Sequence, residues 1–150
     1  MQKSIDRSFK FYHVGEFVER KNLIDVVTAF NLAFRDNENV SLIIKTSVPG
    51  KSSGEGQRIV KQALNQHKQM LNIGQTRDEF VITERLSDKD LIGLHNACDC
   101  FVMASHGEAF CRPAAEALTA PHAPITKPFM PKESKLMAVA RVLTANKPPP

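Results

Sequence analysis

Four short apolar runs, each followed by a longer stretch patterned as a helix, restrict this chain to a narrow set of folds. Phe9 to Val14, Val40 to Lys45, Phe80 to Thr83 and Asp99 to Met103 read as strands, because they are too short for helices and rich in aromatic, aliphatic and β-branched residues. Asn22 to Phe34 reads as a helix whose apolar positions Leu23, Val26, Val27, Phe30 and Phe34 recur at helical spacing. Glu55 to Leu71 reads as a second, largely exposed helix with Ile59, Ala63 and Met70 on its inner side. Ser87-x-x-Asp90 resembles a capping box with Asp in place of Glu and opens a third helix through Ala97. Such alternation predicts an α/β fold: one Rossmann-like, doubly wound parallel sheet with right-handed crossovers. In sheets of that kind, ligands bind in the crevice beyond the carboxyl ends of the strands.

The segment that follows the fourth strand carries the chemistry. Ser105-His106-Gly107-Glu108-Ala109-Phe110-Cys111-Arg112-Pro113-Ala114-Ala115-Glu116-Ala117-Leu118 sets two carboxylates eight residues apart around a proline. Proline at the first helical position loses nothing by lacking an N–H, so a helix is expected to start at Pro113, with Glu108 in the loop before it. A helix start offers unpaired N–H groups and partial positive charge, which suits a phosphate, while Glu116 about one turn inside accepts from ligand hydroxyls. The plainer alternative is an amphipathic helix with Ala114, Ala117 and Leu118 packed inward and Glu116 solvated near the favourable dipole end.

Composition bounds the rest. At 150 residues the chain can bury one sizeable core but not two facing nucleotide-binding domains. Apolar content of 42% and charged content of 24% describe a soluble globular chain with no run near the length of a membrane span. Met1 to Lys10 is polar and does not resemble a signal peptide, so a cytoplasmic location is expected. The net charge of +4 resides in residues 121–150, where Lys127, Lys132, Lys135, Arg141 and Lys147 face only Glu133. That tail suits a solvated or membrane-proximal surface, and without interleaved aromatics it argues against specific nucleic-acid binding.

Two motifs mislead. Lys45-Thr46-Ser47-Val48-Pro49-Gly50-Lys51-Ser52 ends like a phosphate-binding P-loop, but Lys45 stands where that motif needs its first glycine. His95, Cys98, Cys100, His106 and Cys111 are zinc-ligand types, yet Cys-x-Cys is tighter than paired zinc ligands, and Cys100 falls in a strand expected to be buried. No metal site is expected. Three cysteines, an odd number, read as reduced thiols.

Ala97-Cys98-Asp99-Cys100-Phe101-Val102-Met103-Ala104-Ser105 with Gly107-Glu108 and the Glu-x7-Glu spacing resembles the donor-binding domain of family-four, GT-B-fold retaining glycosyltransferases. Phe11 to Asn22 is similar to that domain's opening strand and its glycine loop with a basic residue, and Leu86-Ser87-Asp88-Lys89-Asp90-Leu91 to the segment after its base-binding loop. The likeness covers residues 9 to about 120. It implies half of a GT-B enzyme, with residues 1–126 as the donor domain and 127–150 as a terminal helix and a basic, proline-rich end.

The resemblance also assigns roles. The reaction it implies is transfer of a sugar from a nucleotide-diphosphate sugar to an acceptor with retention, without a metal or other cofactor. Lys21, six residues after Gly15, would neutralise the departing diphosphate. Glu108 would hold the donor sugar and Glu116 the ribose hydroxyls, while Gly15, Phe110, Cys111 and Arg112 would complete the donor site. Glu108 and Lys21 are the catalytic candidates, and Gly15, Lys21, Glu108 and Glu116 are expected to line one crevice. The acceptor would sit on a separate domain or a second copy. Three departures stand out. Glu16 replaces the arginine usual after the loop glycine, leaving Arg20 or Arg112 to supply that charge, and Ala109 and Cys111 replace glycines. A catalytically degenerate nucleotide- or protein-binding module of the same fold is the alternative.

Overall fold

A computed structural model describes residues 8–34, 39–74 and 78–119 of the chain. The elements run β1 (Phe9–Val14), α1 (Leu23–Ala33), β2 (Val40–Lys45), α2 (Ser53–Met70), β3 (Asp78–Ile82), α3 (Asp88–Ala97), β4 (Cys100–Phe101) and α4 (Arg112–Thr119), with one 3-10 turn at Glu19–Lys21 before α1. The boundary at residue 126 and the terminal helix expected within 127–150 lie outside the described residues.

All strand pairs are parallel and the sheet order is β3-β2-β1-β4. The chain winds outward from β1 to β3, then crosses back so that β4 lies on the other side of β1. Side chains alternate between faces along each strand. Phe11, Leu42 and Ile44 face a core closed by Leu23, Val26, Val27 and Phe30 of α1 with Val60 and Leu64 of α2. Tyr12 and Ile43 face the opposite layer, where Leu94 of α3 and Ala117 of α4 cover them. A doubly wound sheet results, and β1 and β4 flank its switch point.

Expected and observed bounds coincide for β1 and β2 and differ elsewhere for identifiable reasons. The helix α2 begins at Ser53 because Ser52 and Glu55 form a reciprocal capping box. That Ser-x-x-Glu signal is present in the sequence and precedes the expected start. Its inner face also needs correction. Gly56, Val60 and Leu64 are buried, whereas Ile59 is 36% and Met70 75% exposed. The cause is tertiary: Val60 and Leu64 join the core formed by α1 and the sheet, with Val48 packed against it, and Gly56 lies beside Val48. The fourth strand is shorter than expected. Its ladder holds only Cys100 and Phe101, both half-buried, although Asp99 N–H bonds Lys10 O at 2.9 Å and Val102 N–H bonds Tyr12 O at 2.8 Å. It forms the sheet's edge among the described residues, so Cys100 is not fully enclosed. The helix α4 starts at Arg112, one residue before Pro113, within the ordinary uncertainty of a helix boundary.

No helix of the described residues is long and apolar enough to cross a membrane. The corrected face of α2 is testable by urea denaturation. Leu64→Ala should cost about 2 to 5 kcal/mol, as for other large-to-small core changes, and Met70→Ala less than about 0.5 kcal/mol. The reverse order would restore the first assignment.

Candidate functional site

Adjacent parallel strands deliver their following loops to the same edge, so the β1 loop meets the β4 loop. The polar contacts between them are dense. Asn22 adopts the left-handed conformation (φ 53°) at the start of α1, which asparagine tolerates better than most side chains. Its amide donates to Ala104 O at 3.1 Å and Asp25 Oδ2 at 2.8 Å. His106 N–H donates to Arg20 O at 2.9 Å, and the Arg20 guanidinium donates to Gly107 O at 2.8 Å. These bonds fix where Glu108 sits. Lys21 Nζ lies 2.5 Å from Glu108 Oε1, with both side chains more than four-fifths buried, and Arg20 approaches Oε2 at 3.3 Å. The hydrogen bond from Lys21, aided by Ser105 and Arg20, holds the Glu108 carboxyl below its usual range against the opposing effect of desolvation.

Under this pair lies His13, which is fully buried. Its Nδ1–H donates to Val102 O at 3.1 Å, tying β1 to the segment after β4. Burial pushes its pKa down, with nearby Lys21 adding to the effect, so the ring stays neutral at physiological pH. A methyl group at Gly15 would come within 3.1 Å of His13 Nε2 and 3.8 Å of the Lys21 stem. Glycine is therefore required here for close approach rather than for a positive φ.

Two of the cavities along this edge bear on the expected residues. The larger, of about 560 Å³, is walled by Gly15, Glu16, Thr46, Lys51, Thr83 and Arg85 among others, and Glu16 is exposed on it. The smaller, of about 320 Å³, lies between α3 and α4 and includes Asp88, His95, Arg112 and Glu116. Leu91 lines both.

Gly15, Lys21 and Glu108 thus come together, whereas Glu116 belongs to the neighbouring cavity. There, Arg112 Nε donates to Glu116 Oε1 at 2.6 Å, so Arg112 is engaged on its own helix and is not turned toward Lys21. Phe110 is 75% exposed, and Cys111 Sγ contacts Met103 Sδ at 3.3 Å. The P-loop look-alike is a helix entry: Gly50 has φ +73°, Lys51 N–H bonds Val48 O, and Ser52 caps α2. Among the described residues, no three His, Cys, Asp or Glu side chains gather to hold a metal ion.

Residues absent from the expected site complete it. Asn22 and His13 fasten the two loops together, and Tyr12 with His95 stands behind Glu116. Asn22 had a local signal, an asparagine directly before an apolar helical run. The others depend on strand register, which no local pattern encodes.

The backbone is similar to solved glycosyltransferase structures. The C-terminal domain of the group 1 family protein LpcC from Francisella tularensis matches with TM-score 0.61 and 18% identity over 81% of this chain and 59% of that one. The UDP-forming α,α-trehalose-phosphate synthase of Burkholderia xenovorans, solved with glucose-6-phosphate, matches with TM-score 0.66 and 14% identity over 95% of this chain and 37% of that one. HepE of Anabaena, solved with UDP and glucose, gives TM-score 0.57 and 21% identity over 78% and 29%. The chain therefore spans less than two thirds of each of these relatives. No curated protein sequence matches it. The model of the family described as glycosyl transferases group 1 matches residues 2–136, and with the parallel switch-point fold this shows that the chain belongs to the group 1 glycosyltransferases.

Proposed function

We propose that this domain is the donor-binding half of a retaining glycosyltransferase and takes a nucleoside-diphosphate sugar. The observation that carries this reading is the 2.5 Å contact of Lys21 with Glu108 across the β1 and β4 loops. It joins a mobile cation and an ionised carboxylate at the point where a diphosphate and a sugar ring would meet. Structural relatives solved with UDP and glucose, and described as UDP-forming, support the ligand class.

The hard step in such a transfer is departure of the diphosphate, whose charge must be stabilised as the glycosidic bond breaks. Without donor, Lys21 is neutralised by Glu108. With donor, Lys21 turns to the phosphate oxygens, a charge-assisted contact, and the freed Glu108 oxygen accepts from sugar hydroxyls while Arg20 keeps its other oxygen in place. N–H groups at the start of α4 add donors for phosphate. Glu116 accepts from the ribose hydroxyls. The cations and the helix end together supply the positive charge, so this reading requires no metal. The acceptor hydroxyl has to be held against the anomeric carbon by an opposing domain.

One observation favours a second reading, a nucleotide- or partner-binding module without catalysis: Glu16 places a negative charge on the wall that also contains Gly15. Under the donor reading Glu16→Arg should tighten nucleoside-diphosphate binding, and under the second it should not.

Lys21→Ala should weaken binding of UDP, GDP or ADP, whichever the protein takes, by about 1 to 3 kcal/mol, the scale of a hydrogen bond to a charged group. The parent nucleoside should lose almost nothing by calorimetric titration. Equal losses for both would show that Lys21 acts on folding instead.

Holding two reactants together supplies roughly 7 to 11 kcal/mol of a barrier, so these 150 residues alone should show at most slow hydrolysis of a nucleotide sugar. Nucleotide release and glycoside formation across a donor and acceptor panel test this. Efficient acceptor-dependent turnover by the monomer would contradict it, and turnover that appears only at high protein concentration would identify a second copy as the missing wall.

A further inference from the structure

Behind Glu116 stands a buried polar pair, Tyr12 and His95, that lies outside the donor contacts of Lys21 and Glu108. Tyr12 points from β1 into the α3/α4 layer and is fully enclosed, as is His95 of α3. The Tyr12 hydroxyl lies 2.8 Å from His95 Nδ1, and the rings meet edge to face at 5.4 Å. The other ring nitrogen, His95 Nε2, faces Glu116 Oε2 at 3.7 Å.

The order of donors along this chain follows from chemistry. Burial pushes the Tyr12 hydroxyl up to about 12, so it remains an O–H. If His95 carried its proton on Nδ1, a lone pair on Nε2 would face a carboxylate oxygen, two acceptors opposed in a partly dry site. With Tyr12 O–H donating to Nδ1, the proton sits on Nε2 and faces Glu116. Arg112 then holds Oε1 at 2.6 Å, Oε2 faces the His95 N–H across 3.7 Å, beyond a direct hydrogen bond but within electrostatic reach, and Glu116 lines the 320 Å³ cavity. A carboxylate has about four acceptor positions, so the Arg112 contact leaves capacity for two adjacent hydroxyls.

We propose that His95, locked by Tyr12, is a positioning residue that holds Glu116 turned to accept both hydroxyls of a vicinal diol. The inference rests on the donor reading, in which that diol is the ribose of the nucleotide. His95 does not touch the ligand. It acts through Glu116, and Tyr12 acts through His95.

The test compares UDP, GDP and ADP with their 2′,3′-dideoxy counterparts by calorimetric titration against wild type, Glu116→Gln, His95→Gln, Tyr12→Phe and the Tyr12→Phe/Glu116→Gln double variant. Wild type should prefer the ribose form by about tenfold or more, the scale of hydrogen bonds to a charged group. Tyr12→Phe, which removes one oxygen and keeps the packing, should reduce that preference about threefold or more, and the double variant should lose no more than Glu116→Gln alone, the non-additivity expected of one network. A purely structural role would change overall affinity or Tm but leave the ribose preference intact, and that result in folded Tyr12→Phe and His95→Gln would overturn the inference while the donor reading stands. Failure of wild type to bind any of the six nucleotides would overturn the donor reading and the diol assignment with it. Imidazole ¹⁵N spectra of the ligand-free protein check the geometry separately. The inference requires Nδ1 unprotonated and Nε2 protonated in wild type, with Nε2 shifting in Glu116→Gln; the opposite tautomer would overturn it.

Discussion

The arrangement at the carboxyl edge depends on β4 lying beside β1 rather than beyond β3. Phe11 pairs with Cys100 and Tyr12 with Phe101, and this short parallel ladder makes residues separated by 87 positions meet as Lys21 and Glu108. Backbone bonds beyond it, from Asp99 to Lys10 and from Val102 to Tyr12, and the His13 link to Val102 O hold the two strands together despite the brevity of β4. The loops above inherit that alignment.

On the proposed donor reading, the site works by exchange. A lysine and a carboxylate enclosed together satisfy each other, since an isolated buried charge is costly. A ligand that offers phosphate to the lysine and hydroxyls to the carboxylate replaces both halves at once and leaves neither charge uncompensated. Arg20 is bonded to Gly107 O as well as to Glu108, and on that reading it would keep the loop in place during the exchange. Because the Glu108 carboxyl titrates below its ordinary value in the folded protein, its contribution to stability is complete above the unfolded carboxyl pKa of about 4.3 and fades as pH falls through the lower folded value.

Local pattern carried much of the fold. The bounds of β1 and β2 follow from apolar runs, and the alternation of strand and helix implies the parallel, doubly wound sheet. The face of α2 does not follow, because Ile59, Val60, Ala63 and Leu64 form two overlapping stripes, and the packing of Val60 and Leu64 against α1 and the sheet selects between them. Within the site, Lys21 and Glu108 were legible through a resemblance. Asn22, which ties their loops together through Ala104 O, has a capping signal, and Tyr12 and His95 have none. His95 stood in a row of cysteines and histidines that invited a metal, whereas its partners are a tyrosine from β1 and a glutamate from α4, brought together only by packing.

The central claim is that Lys21 exchanges Glu108 for a diphosphate. A structure of the domain bound to the nucleoside diphosphate for which it has highest affinity tests this most directly. Lys21 Nζ is expected to leave Glu108 and lie within hydrogen-bond distance of a phosphate oxygen. A bound diphosphate elsewhere on the sheet edge, with the pair of Lys21 and Glu108 unbroken beside it, would rule that exchange out.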